Sequence, residues 1–175
     1  FLPSDKKDLT KPGKLQALKI KSQIDPRNQK NNIKMGSRFE VEWVDIKDFD
    51  AKDQTTKQQG LIQGASPFNG SEGIITDKNS VFFTCKDGGY KEYGQIFRYY
   101  PSKYEGTKEE EREPGVIELY YESNSKDEYW GGDNIVISPW GDLIICEDNG
   151  SRGCKSLGIV QRGSLYAIGQ VVDSS

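Results

Sequence analysis

Acidic and amide side chains recur at corresponding points of two hairpin-like segments, and they are the residues best suited to chemistry. Carboxylate and amide oxygens are the ligands that calcium takes in proteins, and clustered carboxylates repel one another unless a cation lies among them. The pattern therefore predicts a metal site, with these candidate ligands: Glu72, Asp87, Asp133, Asn134, Glu147 and Asp148. The alternative is that they are turn residues, because Asp and Asn favour turns through local hydrogen bonds.

The composition excludes several other kinds of site. The 175 residues contain 0 histidines, which removes Ser-His-Asp catalysis, Cys-His catalysis and imidazole metal ligands. A net charge of −3 gives no attraction to nucleic acid or to an anionic membrane. No apolar run approaches the roughly 20 residues that cross a bilayer, so we expect no membrane insertion. The first residues do not form a signal peptide, which leaves export undecided.

The elements that must position the acidic residues repeat along the chain. Residues 72–87 align with residues 133–148 at a constant offset of 61, without a gap. Each segment has two apolar runs around a polar turn, the pattern of a β-hairpin. Two further short strands follow each hairpin, at residues 94–100 and 115–121 after the first hairpin. The pattern predicts two successive four-stranded antiparallel units, which is the signature of propeller blades.

We therefore predict an all-β fold, an incomplete β-propeller of about two and a half four-stranded blades. Residues 1–60 would supply the outer strands of one blade, residues 61–125 the second blade and residues 126–175 the third. The outer strands upstream would form a hairpin between residues 15–20 and 38–44, and residues 50–59 would be a polar connection. An ordinary β-sandwich is the alternative.

The predicted topology gathers the candidate ligands at one end of the blades. Because the second strand of a blade returns antiparallel beside the first, strand-one starts and strand-two ends meet at the same face. First strands begin at Glu72 and at Asp133 with Asn134, and second strands end at Asp87 and at Glu147 with Asp148, so all six converge on one face.

Other reactive or aromatic residues have plainer interpretations. Cys85 and Cys146 are interpreted as small buried side chains, and Trp140 as a packing aromatic. Arg98 and Arg152 could meet an anionic substrate, although exposed arginines are common.

The same residues resemble a known family. Residues 133–148, DNIVISPWGDLIICED, are similar to the PhoX-type alkaline phosphatases, and so are residues 79–89 and 94–99. Residues 13–18 and 41–46 resemble a short subgroup of that family. The resemblance implies a six-bladed parent, periplasmic or secreted, that hydrolyses phosphomonoesters with Ca²⁺ and Fe³⁺. It also implies a metal-binding position for Glu72, with Asp133, Asn134, Asp148 and Asp87 on the metal face.

The resemblance further implies that this chain is a fragment, whose partners would be the remaining blades and a small phosphorylated substrate. Such a fragment by itself would hydrolyse no phosphomonoester at a useful rate. Its apolar faces near Ile74, Ile75, Ile135 and Val136 would be partly open. Two other functions are retained as alternatives: a calcium-dependent hydrolase of the gluconolactonase type, and a non-catalytic propeller that binds calcium or partners.

Overall fold

The strands account for most of the regular structure in the computed structural model, which describes residues 1–53, 55–150, 153–159 and 163–172. The strands are β1 (Leu2–Pro3), β2 (Gly13–Ile20), β3 (Arg38–Ile46), β4 (Ser71–Asp77), β5 (Ser80–Cys85), β6 (Gln95–Tyr100), β7 (Val116–Glu122), β8 (Gly132–Ile137), β9 (Leu143–Glu147), β10 (Lys155–Ile159) and β11 (Leu165–Gln170). The described residues also contain a helix, α1 (Thr55–Ile62), and a 3₁₀ turn at Lys108–Glu111. Among the described residues, no helix is both long and apolar enough to cross a membrane.

The chain folds as two compact units, the first made of residues 1–25, 39–67 and 102–116. In this unit β2 and β3 pair antiparallel, from Leu15 opposite Ile46 to Ile20 opposite Val41. The predicted upstream hairpin is therefore confirmed, whereas its assignment to an earlier blade stays a prediction.

Residues 50–59 lie between β3 and β4, as the predicted polar connection requires, but α1 begins within them and was not predicted. The helix has no apolar stripe that could have revealed it. It is held instead by tertiary contacts: a Cβ on Gly60 would lie 3.2 Å from Cβ of Ala17, so the helix packs closely on β2. The Gln59 amide also exchanges two hydrogen bonds of 2.9 Å with the main chain of Asp48.

The second unit comprises residues 26–38, 68–101 and 117–175 and contains the predicted repeat. Strands β4 to β7 are neighbours in the order β7-β6-β5-β4, and a separate four-stranded sheet has the order β11-β10-β9-β8. Each set pairs its strands in chain order, as a propeller blade does. The all-β, propeller-like fold class is confirmed, with fewer blades than a closed ring of this type contains.

An apolar core lies between the two sheets of this unit. Its buried members are Phe82, Ile96, Tyr121, Tyr129, Leu143, Ile145, Leu157 and Ile159, and the half-buried Ile75 and Ile135 pack against them. The prediction of open apolar faces is therefore confirmed only in part. Ile74 and Val136 are 68% and 52% exposed, as expected, but Ile75 and Ile135 pack against the core and are partly buried.

The repeat is real, but its second strand is displaced by one residue from the ungapped alignment. Ile74 pairs with Phe83, whereas Ile135 pairs with Ile145. The reason is a longer turn: Ser138 and Asp142 close the β8–β9 turn through the hydrogen bond from Ser138 N to Asp142 O, 2.8 Å long. First strands therefore correspond at an offset of 61 and second strands at 62, so that Lys86, rather than Asp87, corresponds to Asp148.

Candidate functional site

The starts of β4 and β8 are joined by one buried side chain, Thr84 of β5. Its hydroxyl accepts a hydrogen bond from Gly73 N at 2.9 Å and donates one to Asp133 O at 3.0 Å. A Cβ at position 73 would collide with the Asp133 carbonyl, so glycine is what permits this close approach. Glu72, next to Gly73, therefore lies at the same end of the two sheets as Asp133.

Both first strands begin with an irregularity at the predicted ligand positions. The register of β4 shifts between Ser71 and Ile74, and that of β8 shifts between Gly132 and Ile135. Glu72 lies in the first of these bulges, and Asp133 and Asn134 lie in the second. A bulge turns side chains out of the regular alternation and is common beside functional sites.

A lysine that the sequence reasoning overlooked, Lys86, forms an ion pair with one of the candidate ligands. The Lys86 ammonium Nζ lies 3.1 Å from Asp148 Oδ2. The hydrogen bond to Asp148 raises the pKa of Lys86, and the charges of Asp133 and Glu72 raise it further. Asp148 is therefore the direct partner of Lys86, while Asp133 and Glu72 act on the ammonium through their charge. The available signal was the position of Lys86 at a strand-two end, directly before Asp87.

Asp87 and Asn134 lie at the same end of the sheets as Lys86 and Asp148. Both side chains are exposed. A Cβ on Gly70 would be 2.7 Å from Asp87 Oδ2, so this carboxylate lies over the residues that lead into β4. Asn134 follows Asp133 in the β8 bulge, and its Cα would lie 3.1 Å from a Cβ added to Gly73.

Glu147 has a different environment from the other candidates, because its carboxylate is buried and fully engaged. Its Oε1 accepts a hydrogen bond from Trp130 N at 2.8 Å, and its Oε2 accepts one from Lys155 N at 2.9 Å. The Lys155 ammonium is 3.8 Å from Oε1. Glu147 thus connects the segment before β8 to the start of β10.

A second buried carboxylate, Glu122 at the end of β7, supports the loop beside Asp87. It accepts hydrogen bonds from Gln95 Nε2 at 2.8 Å and from Asn28 Nδ2 at 2.9 and 3.0 Å. The amide of Tyr90 donates to it at 3.1 Å. Asn28 in turn accepts from the main chain of Asn32 and Ile33, so Glu122 fixes a long polar loop. This group was not predicted, because its members are distant in sequence.

Two interpretations of single residues were wrong. Cys146 is exposed rather than buried, whereas Cys85 is buried as predicted, and burial raises the pKa of its thiol to about 12. Trp140 is 69% exposed and is therefore not a core aromatic. Arg152 lies outside the described residues.

We call the end of the sheets that carries Glu72, Asp87, Asp133, Asn134 and Asp148 the acidic face. Its donor atoms suit a hard divalent cation. Its side chains offer carboxylate and amide oxygens, and the position of Lys86 shows that the face holds a positive charge. Within the described residues, no group of three or more His, Cys, Asp or Glu side chains is arranged to hold a metal ion. The chemistry therefore fits a cation, while the ligand geometry is not formed around one.

These features define the class of protein. It is an all-β, propeller-like protein with carboxylate and amide oxygens at the end where β4 and β8 begin. Residues 3–174 match the family model of alkaline phosphatase PhoX. The chain belongs to the PhoX alkaline phosphatase family, whose members are metal-dependent phosphatases. No curated protein and no solved structure matches the chain at a significant level.

Proposed function

We propose that this protein is a metal-dependent phosphatase of small phosphomonoesters and that the acidic face around Lys86 is its metal and substrate site. The observation that carries the proposal is the Lys86 ammonium 3.1 Å from Asp148 Oδ2, at the end of the sheets where the bulges at Glu72 and Asp133 lie. Membership of the PhoX family supports phosphate-ester hydrolysis over the lactonase and pure binding alternatives.

Calcium is the proposed cation, with iron, as Fe³⁺, as a second metal. The residues that would hold them are Glu72, Asp133, Asn134 and Asp148, with Asp87 beside them. Carboxylates and an amide oxygen are the donors that calcium accepts with flexible geometry. Glu147 was predicted with this group, but we assign it to the structure, because both of its oxygens accept hydrogen bonds from main-chain amides.

Two positive charges would act on a phosphate at this site. A bound calcium ion would supply positive charge that orients and neutralises the phosphate group. Lys86, on a side chain that is 23% exposed, would contribute a second positive charge next to the same carboxylates. Thr84 and Gly73 would keep the two strand starts at a fixed separation, which positions the groups that each strand carries.

Cation binding is the first test. Calorimetry measures calcium binding to residues 1–175 and to the protein as its gene encodes it. We expect the variants Glu72→Gln and Asp133→Asn each to weaken binding about tenfold or more, because each removes a carboxylate ligand. Glu40→Gln, an exposed strand carboxylate of the first unit, is the matched control and should bind as the wild type does. Equal calcium affinity in the wild type and in all three variants would refute the assignment of the site.

The second test is hydrolysis of p-nitrophenyl phosphate by the protein as its gene encodes it, with calcium and iron supplied and then removed by a chelator. We expect activity that the chelator abolishes and that Glu72→Gln reduces strongly, while Glu40→Gln leaves it unchanged. Activity that persists through chelation would contradict metal dependence. Hydrolysis of a sugar lactone, with none of the phosphate ester, would replace the phosphatase by the gluconolactonase-type alternative.

A further inference from the structure

A cleft of about 420 Å³ lies at the opposite end of the second unit from the acidic face. It opens between the β4–β5 turn and the β8–β9 turn, whereas Glu72 and Asp133 are at the strand starts. Its volume is within the usual range of small-molecule sites. Lys78 and Arg98 line it together with the apolar surfaces of Tyr120, Pro139 and Trp140.

Trp140 is exposed but held in a fixed orientation. Its indole Nε1 donates a hydrogen bond to Asp142 Oδ2 at 2.9 Å and lies 3.2 Å from the Tyr166 hydroxyl. That hydroxyl donates to the same Asp142 oxygen at 2.9 Å. The three groups fix the edge of the indole while leaving most of its surface in solvent. A large apolar ring that is exposed and already ordered can stack on a ligand with little further loss of entropy.

Arg98 is the fixed cation of the cleft. Its guanidinium carbon lies 4.8 Å from the ring centroids of both Phe82 and Tyr100, and Nε donates to Ser80 Oγ at 2.9 Å. Its contact with Asp77 Oδ2 is long, at 3.4 Å, and involves a carboxylate that is 38% exposed. An ion pair of this kind is weak and can yield to an incoming anion. A guanidinium is suited to planar oxyanions, because it offers donors in a fixed fork.

The charges that line the cleft favour an anion. Arg98 and Lys78 are its cationic residues, and Asp77 is the carboxylate among its described lining residues. Asp142 does not line the cleft, and its carboxylate accepts hydrogen bonds from Trp140 and Tyr166.

We propose that this cleft binds a small anion that carries a flat aromatic ring, with the ring on Trp140 and the oxyanion on Arg98. The ligand class is an aryl carboxylate or an aryl phosphate or phosphonate, which share a ring and a planar or tetrahedral oxyanion. This site is separate from the acidic face and does not depend on the proposed phosphatase reaction.

The test is a titration of the ¹⁵N-labelled protein with phenylphosphonate and with benzoate, which separates the two oxyanion types, followed through the indole N–H signals. We expect the Trp140 signal to shift with at least one of these probes. Benzyl alcohol, which has the ring without the charge, and acetate, which has the charge without the ring, should bind at least about tenfold more weakly. Saturation with calcium should not abolish the shift, because the acidic face lies at the other end of the strands.

Substitutions locate the site. Trp140→Ala removes an exposed side chain and should not affect folding. Arg98→Lys keeps the positive charge but loses the forked guanidinium donors. Calorimetry should show each variant binding the aryl anion about tenfold more weakly. Trp43→Phe in the first unit and Glu72→Gln on the acidic face are controls that should bind normally. The proposal would be overturned if neither probe shifts the Trp140 signal at 10 mM, a concentration about a thousandfold above a dissociation constant of 10 μM. Unchanged affinity in both site variants would do the same.

Discussion

The β4–β5 and β8–β9 hairpins share a backbone plan but carry different chemistry at corresponding positions. Thr84 of the first is buried and joins two sheets, while Cys146 of the second is exposed. Cys85 is a buried thiol, while its counterpart Glu147 is a buried carboxylate that holds the neighbouring main chain. The comparison teaches that the repeat specifies strand order and bulges, whereas the packing around each hairpin decides what a given position does.

The largest expected difference is at the Cys85 and Glu147 pair. Glu147→Ala leaves the amides of Trp130 and Lys155 without their acceptor, and each buried unsatisfied group costs about 1–3 kcal/mol. We expect a loss of about 4 kcal/mol in the free energy of unfolding, measured by urea denaturation. Cys85→Ala removes only one sulfur and should cost about 1–2 kcal/mol. A smaller loss for Glu147→Ala than for Cys85→Ala would contradict the structural role assigned to Glu147.

The next difference concerns Thr84 and Cys146. Thr84→Val keeps the shape but leaves Gly73 N and Asp133 O unpaired, so we expect a loss of about 3 kcal/mol. Cys146→Val changes an exposed position and should shift stability by less than about 0.5 kcal/mol. Thermal or urea unfolding of the two variants measures both effects. Equal stabilities would show that Thr84 does not connect the sheets.

Thiol reactivity extends the comparison without changing the core. In a Cys154→Ser background, a maleimide should label Cys146 about 100-fold faster than Cys85, because the thiolate is the reactive form and burial raises the pKa of Cys85 to about 12. Mass spectrometry of peptides at pH 8 gives the two rates. Adding urea to just below the unfolding transition should narrow the difference. Similar rates in native buffer would mean that the β4–β5 hairpin is open.

The smallest effect is expected at Lys86 and Asp148, the third corresponding pair. Lys86→Met should lower stability by about 0.5 kcal/mol, since Asp148 is exposed and solvent screens the pair, and high salt should remove the difference. The folded pKa of Lys86 is raised, so its contribution is complete below the unfolded pKa and is lost as pH rises through the folded pKa. The difference between wild type and Lys86→Met should therefore disappear on the alkaline side of the ordinary lysine pKa. A difference that persists there would show that the methylene groups, not the charge, stabilise the fold.

Lys86→Met also sharpens the proposal for the acidic face. Because the Lys86 ammonium lies beside Asp148, removing it should strengthen calcium binding in calorimetry by about tenfold, since its positive charge no longer opposes that of the ion. Lys86→Arg keeps the charge and is the control. Weaker calcium binding in Lys86→Met would show that Lys86 does not compete with the cation.

Alternation of apolar and polar residues, together with the recurring turn signals, was sufficient to predict the all-β class, the strand order and the end at which the acidic residues gather. The bulges at Glu72 and Asp133 and the close approach at Gly73 could not be predicted, because they depend on Thr84 reaching the main chain of a distant strand. The one-residue displacement of β9 likewise arises from the turn closed by Ser138 and Asp142.

The sequence by itself therefore determined the periodicities: which segments form strands, and which residue types lie at the same end of them. Tertiary structure alone decided the environments. It buried Glu147 and exposed Trp140, it paired Lys86 with the distant Asp148, and it formed α1 from a segment with no apolar stripe. The physical reason is that hydrogen bonding and burial depend on groups far apart in the chain, while a local pattern records only the neighbours of each residue.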